Sequence, residues 1–456
     1  MSRFSPLPQP LSVWIVNPFD DIPGEGLPPL RYWSLARVLA GRGHDVTWWS
    51  STWSHRRKAV RTVPMQMRED EGFSVRLVAV RPYAKNVSLA RFASHRDFGR
   101  TFERLANESV ASGQLARPDV ILASLPPLDS PEAAARLAKR LDALLVVDLM
   151  DVWPETFQRL LPGPRWFRQM ISPLLLGGMY RRRAAVIEAA DAISTATQTY
   201  ADTMLRNAAG QKLTHQKPMH LCYLGAYLQE FSPPVRVSPV AADATATPTD
   251  ATTQPVEKPA AITPLPEKSL PDKPLACVYS GTLEAGQDVL TAIAAAKMLS
   301  AAGTPAEIHI AGTGKFEASI RAAAAGINGS CRVIIHGLLD RTAYVRLLSA
   351  CDVGLVLVKP ESLVTVPYKA CDYAAAGLAI INSLPGELES LVTSSVAGLK
   401  YTAGDAASLA RAIASLASNR PLLLNYRQGA RRLAEAEFDR EKTYSQFAQW
   451  IEATAS

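Results

Sequence analysis

The sequence lacks the features that mark several specialised classes of protein. Its five cysteines are widely spaced in apolar segments and form no Cys-x-x-Cys pair. We therefore expect reduced, buried thiols rather than a disulfide framework or a zinc site. No apolar run approaches the roughly 18 residues that a membrane-spanning helix needs, and the first residues show neither the basic start nor the apolar stretch of a signal peptide. These absences predict a cytoplasmic protein.

The positive charge of the chain is not concentrated in one place. Lysine and arginine number 49 against 42 acidic residues, a formal net charge of +7. This balance is compatible with an anionic partner such as a phosphate, a nucleic acid or a membrane surface. The basic clusters at 55–58, 181–183 and 431–432 are scattered and lack interleaved aromatic residues. We therefore expect no nucleic acid as a partner.

Length and periodicity predict two domains. At 456 residues the chain exceeds what one hydrophobic core usually supports. Apolar runs alternate with amphipathic stretches in both halves, which predicts an α/β protein with two doubly wound, Rossmann-like domains. We place an N-terminal domain at 1–231 and a C-terminal domain at 274–456, whose last helix is a candidate to pack back on the first domain. The Pro/Ala/Thr-rich segment 232–273 is predicted to be a linker or disordered insert.

A glycine-containing turn follows the first predicted strand. Gly24 and Gly26 would let backbone N–H groups approach a phosphate or a sugar. The alternative is a simple tight turn between strand and helix. The third glycine and the downstream acid of a dinucleotide fingerprint are missing, which disfavours a nicotinamide enzyme.

Acidic and aromatic residues follow the apolar strand predicted at 144–147. Asp151 is a candidate catalytic residue, because a carboxylate at a strand end can orient a substrate hydroxyl. Trp153 offers a flat face of the kind that covers a sugar ring. The structural alternative is that the carboxylates of this segment only cap the turn that follows.

A short helix is predicted between two strands of the second half. Pro367 suits its first position and Gly377 its C-terminal cap. Its N-terminus would carry Lys369, with Asp372 one turn further on the same face. A lysine beside a helix N-terminus suits a diphosphate, whereas a carboxylate can bind the two hydroxyls of a ribose. An exposed ion pair between the two residues is the alternative.

Several motifs together resemble the retaining family-4 glycosyltransferases (glycosyl transferases group 1), especially the bacterial branch that builds surface polysaccharides. The resemblance covers nearly the whole chain. The matching segments are 24–26, 118–127, 151–155, 224–231, 280–282, 311–314, 336–338, 369–377, and Gly386 with Glu389.

This resemblance implies a GT-B fold and transfer of a hexose-type sugar from a nucleotide-sugar donor, UDP- or GDP-linked, to a saccharide or polyprenyl-linked acceptor. The donor is a substrate, so no cofactor is expected. The resemblance also implies retention of configuration and no metal, and the sequence has no Asp-x-Asp run. The residues implied in donor binding are Gly24, Gly26, Gly281, Thr282, Gly312, Gly314, Gly337, Leu338, Lys369, Asp372 and Glu389. Catalytic roles fall to Asp151 and Lys369, and acceptor contacts to Trp153 and Glu155.

The sequence departs from its relatives in several places. Thr282 and Ala285 stand where many relatives have an arginine and a lysine that hold the diphosphate. Val364 replaces a second acid, and Asp372 is shorter than the usual glutamate. Met150 stands beside Asp151 where others have a histidine, so we expect no histidine base. Two alternatives therefore stay open: a nucleotide-sugar epimerase, and a non-catalytic GT-B subunit that scaffolds a partner.

One basic, bulky stretch is a candidate for peripheral contact with an anionic membrane. It runs from Arg165 to Arg183 and mixes tryptophan, leucine and arginine, a composition that suits an enzyme with a lipid-linked acceptor. An ordinary packing helix of the first domain is the alternative.

Overall fold

The computed structural model describes residues 9–26, 29–68, 72–207, 210–213, 217–231 and 273–456. The predicted linker at 232–273 lies, except for Lys273, outside the described residues. Within the described ranges, no helix is both long enough and apolar enough to cross a membrane. The five cysteines are buried and free, as expected.

The N-terminal domain is built on an eight-stranded sheet, ordered β10-β9-β8-β7-β1-β2-β6-β5, in which only β5 runs antiparallel to its neighbour. A two-stranded hairpin, β3–β4, follows β2. The strands are β1 (Ser12–Val16), β2 (Asp45–Ser51), β3 (Trp53–Ser54), β4 (Ala59–Val60), β5 (Gln66–Arg68), β6 (Ser74–Val78), β7 (Val120–Leu125), β8 (Leu144–Leu149), β9 (Ala192–Thr195) and β10 (Met219–Leu221). The helices are α1 (Arg31–Gly41), α2 (Leu89–Ala111), α3 (Asp129–Leu141), α4 (Glu155–Gln158), α5 (Arg165–Leu175), α6 (Gly177–Ala189) and α7 (Gln198–Met204).

The C-terminal domain has a six-stranded parallel sheet, ordered β13-β12-β11-β14-β15-β16. Its strands are β11 (Leu275–Ser280), β12 (Ala306–Ala311), β13 (Cys331–Gly337), β14 (Val353–Val356), β15 (Ala379–Asn382) and β16 (Gly398–Lys400). Its helices are α8 (Val289–Ala301), α9 (Glu317–Ala324), α10 (Arg341–Ala350), α11 (Tyr368–Ala375), α12 (Glu387–Ser394), α13 (Ala406–Ser418) and α14 (Arg420–Leu433), and α15 (Arg440–Ala455) ends the chain.

The central strands of both sheets are apolar on both faces. Strands β1, β7 and β14 are buried at every position, as expected where helices cover both sides of a parallel sheet. Each sheet reverses its strand order beside its first strand, and such switch points place ligands at the carboxyl ends of the strands. The prediction of two doubly wound domains is confirmed.

The last helix, α15, leaves the C-terminal domain and packs against α1 of the N-terminal domain. Glu452 accepts from Arg42 at 2.6 Å and lies 2.8 Å from His44. The crossing is fixed by backbone bonds between Ala226 and the segment that precedes α15. The N-terminal domain is therefore made from two separate parts of the chain.

Asp148, at the end of β8, has a structural partner. Its carboxylate accepts from Arg31 at 2.7 and 2.9 Å, and neither side chain is exposed. Burial raises the pKa of Asp148, but Arg31, together with hydrogen bonds from Tyr32 and Ser194, holds that pKa below its usual range. Asp148 thus ties the sheet to α1 and is not available to a substrate.

Candidate active site

Three glycines at neighbouring strand ends form a closely packed turn region. Gly281, Gly312 and Gly337 end or follow β11, β12 and β13. The amide of Gly281 donates to Ala311 at 2.9 Å, and that of Gly312 donates to Gly337 at 2.7 Å. A Cβ on Gly312 would lie 1.8 Å from the carbonyl oxygen of Gly281, and its φ of 142° is itself unusual for other residues. Only glycine fits there.

Helix α11 points its N-terminus at this glycine region. It begins at Tyr368, so Pro367 is its N-cap and not its first helical residue, and Ala376 is its C-cap, followed by Gly377 with a φ of 64°. The difference is one residue at each end. The predicted orientation of Lys369 in the first turn is unaffected.

Lys369 lies against the predicted diphosphate region without an anionic partner. Its Nζ donates to Gln287 at 3.2 Å and stands 4.1 Å from the centre of the Tyr279 ring. A Cβ on Gly281 would lie only 2.7 Å from that Nζ. Among the described residues, no carboxylate oxygen comes within 4.0 Å of it. Burial lowers the pKa of Lys369 to about 7, because neutral neighbours compensate its charge poorly.

Asp372 faces a different set of groups, so the alternative of an ion pair with Lys369 does not hold. Its carboxylate accepts from Tyr344 at 3.1 Å and from Arg341 at 3.3 Å. Burial raises the pKa of Asp372, and Arg341 opposes that shift. Tyr344 in turn lies 3.2 Å from the hydroxyl of Ser280. Asp372 is thereby linked to the residue that precedes Gly281.

The other residues predicted to bind the donor occupy varied positions. Leu338 follows β13 and is 77% exposed. The carbonyl of Thr282 accepts from Tyr279 at 2.8 Å. Gly314 packs on Leu283 so closely that a Cβ would lie 2.5 Å from its carbonyl oxygen. Glu389 pairs with Lys400 at 2.7 Å, so its contact with a donor stays a prediction.

Glu387, two residues before Glu389, holds the two domains together. It accepts from the backbone amides of Gln198 and Thr199, at 2.8 Å each, at the start of α7. It also accepts from Tyr223 at 2.8 Å. No local sequence feature distinguishes this glutamate from Glu389, because its partners lie between 164 and 189 residues away in the chain.

The predicted glycine turn of the N-terminal domain follows β1. Gly24 and Gly26 have φ values of 82° and 67°, as a tight turn requires. Between them, the buried Glu25 accepts from the Ile22 amide at 2.8 Å and from Arg61 at 3.4 Å. The turn is therefore anchored to β3–β4 and the segment after it, and its contact with a donor stays a prediction.

Asp151 lies just beyond β8, and its side chain is partly exposed to solvent. It accepts from the Val152 amide at 2.8 Å and from Thr156 at 3.4 Å. Burial raises its pKa, while these hydrogen bonds and the charge of Arg91 lower it. The carboxylate does cap the following turn, as the structural alternative proposed. Its contact with a substrate stays a prediction.

The two residues predicted to contact an acceptor are engaged with the protein. Trp153 is only 3% exposed and packs edge-on against Phe157, with ring centres 4.7 Å apart. Glu155 binds the buried Arg183 at 2.7 Å. Their acceptor contacts stay predictions, and Trp153 could reach a sugar only after its neighbours move.

Several residues of the site escaped sequence reasoning. Gln287 and Tyr279 surround Lys369, and Arg341 with Tyr344 surrounds Asp372. None of these stands in a motif, and only the fold brings them to the strand ends. Within the described ranges, no group of three or more His, Cys, Asp or Glu residues is placed to hold a metal ion.

Comparison with known proteins agrees with this geometry. The chain superposes on a sucrose-phosphate synthase from Thermosynechococcus elongatus with a TM-score of 0.64 at 16% identity, over 97% of this chain and 98% of the other. Anabaena HepE in complex with UDP superposes with a TM-score of 0.61 at 14% identity, over 97% of this chain and 100% of the other. WaaG, a glycosyltransferase involved in lipopolysaccharide biosynthesis, superposes with a TM-score of 0.56 at 14% identity, over 95% of this chain and 98% of the other. The two Rossmann-like domains therefore define a GT-B fold.

Residues 274–419 match the family model described as Glycosyl transferases group 1. A search of curated proteins gives no match. A group 1 glycosyltransferase domain carried on a GT-B fold makes this chain a glycosyltransferase. The scaffold and epimerase alternatives are not favoured.

Proposed function

We propose that the protein transfers a hexose-type sugar from a UDP- or GDP-linked donor to a saccharide or lipid-linked acceptor in cell-surface polysaccharide synthesis. The acceptor hydroxyl would attack the anomeric carbon on the face that the diphosphate leaves, with retention of configuration. The new glycosidic bond replaces the bond to the diphosphate, whose departing oxygen takes the hydroxyl proton. The reaction would take place in the cytoplasm.

One observation carries this proposal: Lys369, which has no carboxylate partner within the described ranges, lies in the first turn of α11 against Gly281. The leaving diphosphate gains negative charge as the sugar–oxygen bond breaks, and a preorganised cation stabilises that charge. Lys369 and the N-terminal end of α11 would supply what a metal ion supplies elsewhere. Lys369 would thus replace the arginine and lysine that relatives carry after the first glycine.

A thermal-shift screen of nucleotide sugars tests the donor assignment. Because the similar HepE structure holds UDP, UDP and UDP-sugars come first, followed by GDP-sugars. A donor at 100 times its dissociation constant stabilises the fold by about 2.7 kcal/mol. We expect at least one nucleotide sugar to raise the midpoint, and a panel without any shift would contradict the proposal.

Chelation tests the absence of a metal requirement separately. We expect EDTA to leave donor binding and transfer unchanged, since Lys369 provides the positive charge. Activity that is lost with EDTA and restored by Mg²⁺ or Mn²⁺ would show that this part of the proposal is wrong.

Peripheral contact with an anionic membrane is part of the same proposal. Trp166, Met170 and Leu174 are 67%, 62% and 84% exposed and follow each other at intervals of four on α5, so they lie on one face. Such a face suits the interface of a bilayer. Arg182 and Arg183 are bound to acidic residues of their own domain, so they do not belong to this surface.

Co-sedimentation with anionic liposomes tests the contact. Changing Trp166 and Leu174 to serine should reduce the bound fraction, because it removes apolar area from α5. The matched control is Leu290→Ser on α8, where a leucine is 47% exposed in the other domain. Equal binding of both variants and the unmodified protein would rule out α5 as the contact.

A further inference from the structure

A second group of cations lies on the N-terminal domain, where the proposed donor site does not use it. Arg91, in the first turn of α2, stands over the Phe19 ring at 5.4 Å and the Trp153 ring at 5.2 Å. Lys58, in the turn of the β3–β4 hairpin, stands over the Tyr83 ring at 4.9 Å. Their aromatic neighbours follow β1, β8 and β6, so the group lies at the carboxyl edge of the sheet.

Neither cation has an acidic partner in the part of the chain that the structure describes. Among the described residues, no carboxylate oxygen lies within 4.0 Å of Arg91 or Lys58, whereas the hairpin's neighbouring Arg56 and Arg61 bind Asp21 and Glu25 at 3.2 and 3.4 Å. The rings beside Arg91 and Lys58 compensate part of their charge. A partly buried charge left without a counter-charge is costly in a folded protein.

The electrostatics of the neighbouring groups show the same excess of positive charge. Burial lowers the pKa of Lys58, and Arg91 lowers it further. Burial and the two cations lower the pKa of His55 to about 3, and burial and Arg91 do the same for His95. Both histidines are therefore neutral, and the charge of Arg91 acts on Lys58 as well as on both histidines.

Two local features also indicate a preorganised binding site. His95 accepts from Arg91 through Nε2 at 3.3 Å, which leaves its proton on Nδ1, and that buried atom has no partner among the described residues. Lys58 has a φ of 54°, a conformation that is rare for residues other than glycine. Backbone strain of this kind is concentrated at functional positions.

We propose that Arg91 and Lys58 bind an anionic group, a phosphate or a carboxylate, on the sugar acceptor. The inference rests on the proposed transferase function and names the acceptor's chemical class. Asp151, the candidate for orienting the reacting hydroxyl, is close enough for its charge to act on Arg91. An acceptor held through its anion at Arg91 and Lys58 would place a hydroxyl beside Asp151.

Calorimetric titration of inorganic phosphate into the full chain tests the site. All variants carry Lys369→Ala, which weakens phosphate binding at the donor site. Arg91→Gln and Lys58→Gln should each weaken phosphate binding about tenfold or more, since each removes a charge-assisted contact. The matched control is Arg104→Gln, an exposed arginine of α2 that is already paired with Glu108. Equal affinity of all these variants would overturn the inference.

Further variants and probes keep the result decisive. Arg91→Lys retains the charge and should restore most of the affinity; if it binds as weakly as Arg91→Gln while Lys58→Gln binds normally, the anion site is wrong. Glucose 6-phosphate and phosphatidylcholine vesicles with polyprenyl phosphate distinguish a free sugar phosphate from a lipid-linked one. Binding of either that depends on Arg91 supports the inference, and Arg91-independent binding of both contradicts it.

The outcomes separate this inference from the proposed function. Loss of phosphate binding in Arg91→Gln, together with no donor binding in the nucleotide-sugar screen, would contradict glycosyl transfer and leave an anion site. Normal donor binding with phosphate binding that ignores Arg91 and Lys58 would contradict only the anionic acceptor.

Discussion

At the scale of single residues, Lys369 and Asp372 should give opposite kinetic signatures. Lys369→Ala should lower turnover by about a hundredfold to a thousandfold, because it removes charge that is needed most in the transition state. Asp372→Ala should mainly raise the Michaelis constant for the donor, since ribose contacts are the same before and during bond breaking. Steady-state kinetics at saturating donor measure both. Wild-type turnover in Lys369→Ala would disprove the leaving-group assignment.

The low pKa of Lys369 predicts how donor binding depends on pH. In the proposed donor site the diphosphate would bind the protonated lysine, and in the free protein that form disappears as the pH rises through about 7. The donor dissociation constant should therefore increase by up to about tenfold per pH unit above 7 and be independent of this group below it. Lys369→Arg should abolish the dependence, because arginine stays charged. A flat wild-type profile between pH 7 and 9 would contradict the argument.

Sequence reasoning at this scale identified residue types better than their surroundings. Lys369 could be placed at a helix N-terminus from Pro367 and the following apolar pattern alone. The burial of Trp153 could not be predicted from the sequence. Phe92 and His95, which pack against its ring, lie some 60 positions earlier in the chain. The ion pair between Glu155 and Arg183 could not be predicted either, because partners far apart in the chain leave no periodic signal in the sequence.

At the scale of elements, the glycine turns between β11, β12 and β13 are the most sensitive to substitution. Gly312→Ala should abolish donor binding or destabilise the C-terminal domain, because its Cβ would overlap the Gly281 carbonyl at 1.8 Å. Gly286→Ala is the control, since a Cβ there meets nothing within 4 Å. Calorimetric melting and donor titration of both variants check this. Equal behaviour of the two would mean that the strand ends can separate.

The elements themselves were largely readable from the sequence. The apolar strand expected at 144–147 is β8, which runs over Leu144–Leu149, and the short helix expected to begin at Pro367 is α11, which runs over Tyr368–Ala375. Buried strands between amphipathic helices give a strong periodic contrast. The β3–β4 hairpin was missed because each strand has only two residues, too few for any period to show.

At the scale of the whole molecule, the buried Arg31–Asp148 pair fastens several parts of the N-terminal domain. Arg31 also donates to the Cys222 carbonyl at 2.7 Å and lies under the Phe447 ring of α15 at 5.2 Å. Arg31→Leu should lower the free energy of unfolding by about 3–5 kcal/mol, because it leaves Asp148 buried and unpaired. Urea unfolding measures this. The double variant with Asp148→Leu should recover much of the loss, and a double variant that is less stable still would contradict this explanation.

Helix α15 gives the molecule an order of assembly. Its residues Tyr444, Phe447 and Ile451 complete a core otherwise made by α1 and by strands β1, β2 and β6 to β9, yet they follow all of these elements in the chain. While the chain is being made, the C-terminal domain can close first, although its strands are synthesised second. The N-terminal domain keeps an open apolar face until α15 packs on it. A chain released before α15 is complete would therefore carry a folded C-terminal domain beside an incompletely folded N-terminal one, and would be a natural substrate for chaperones and proteases.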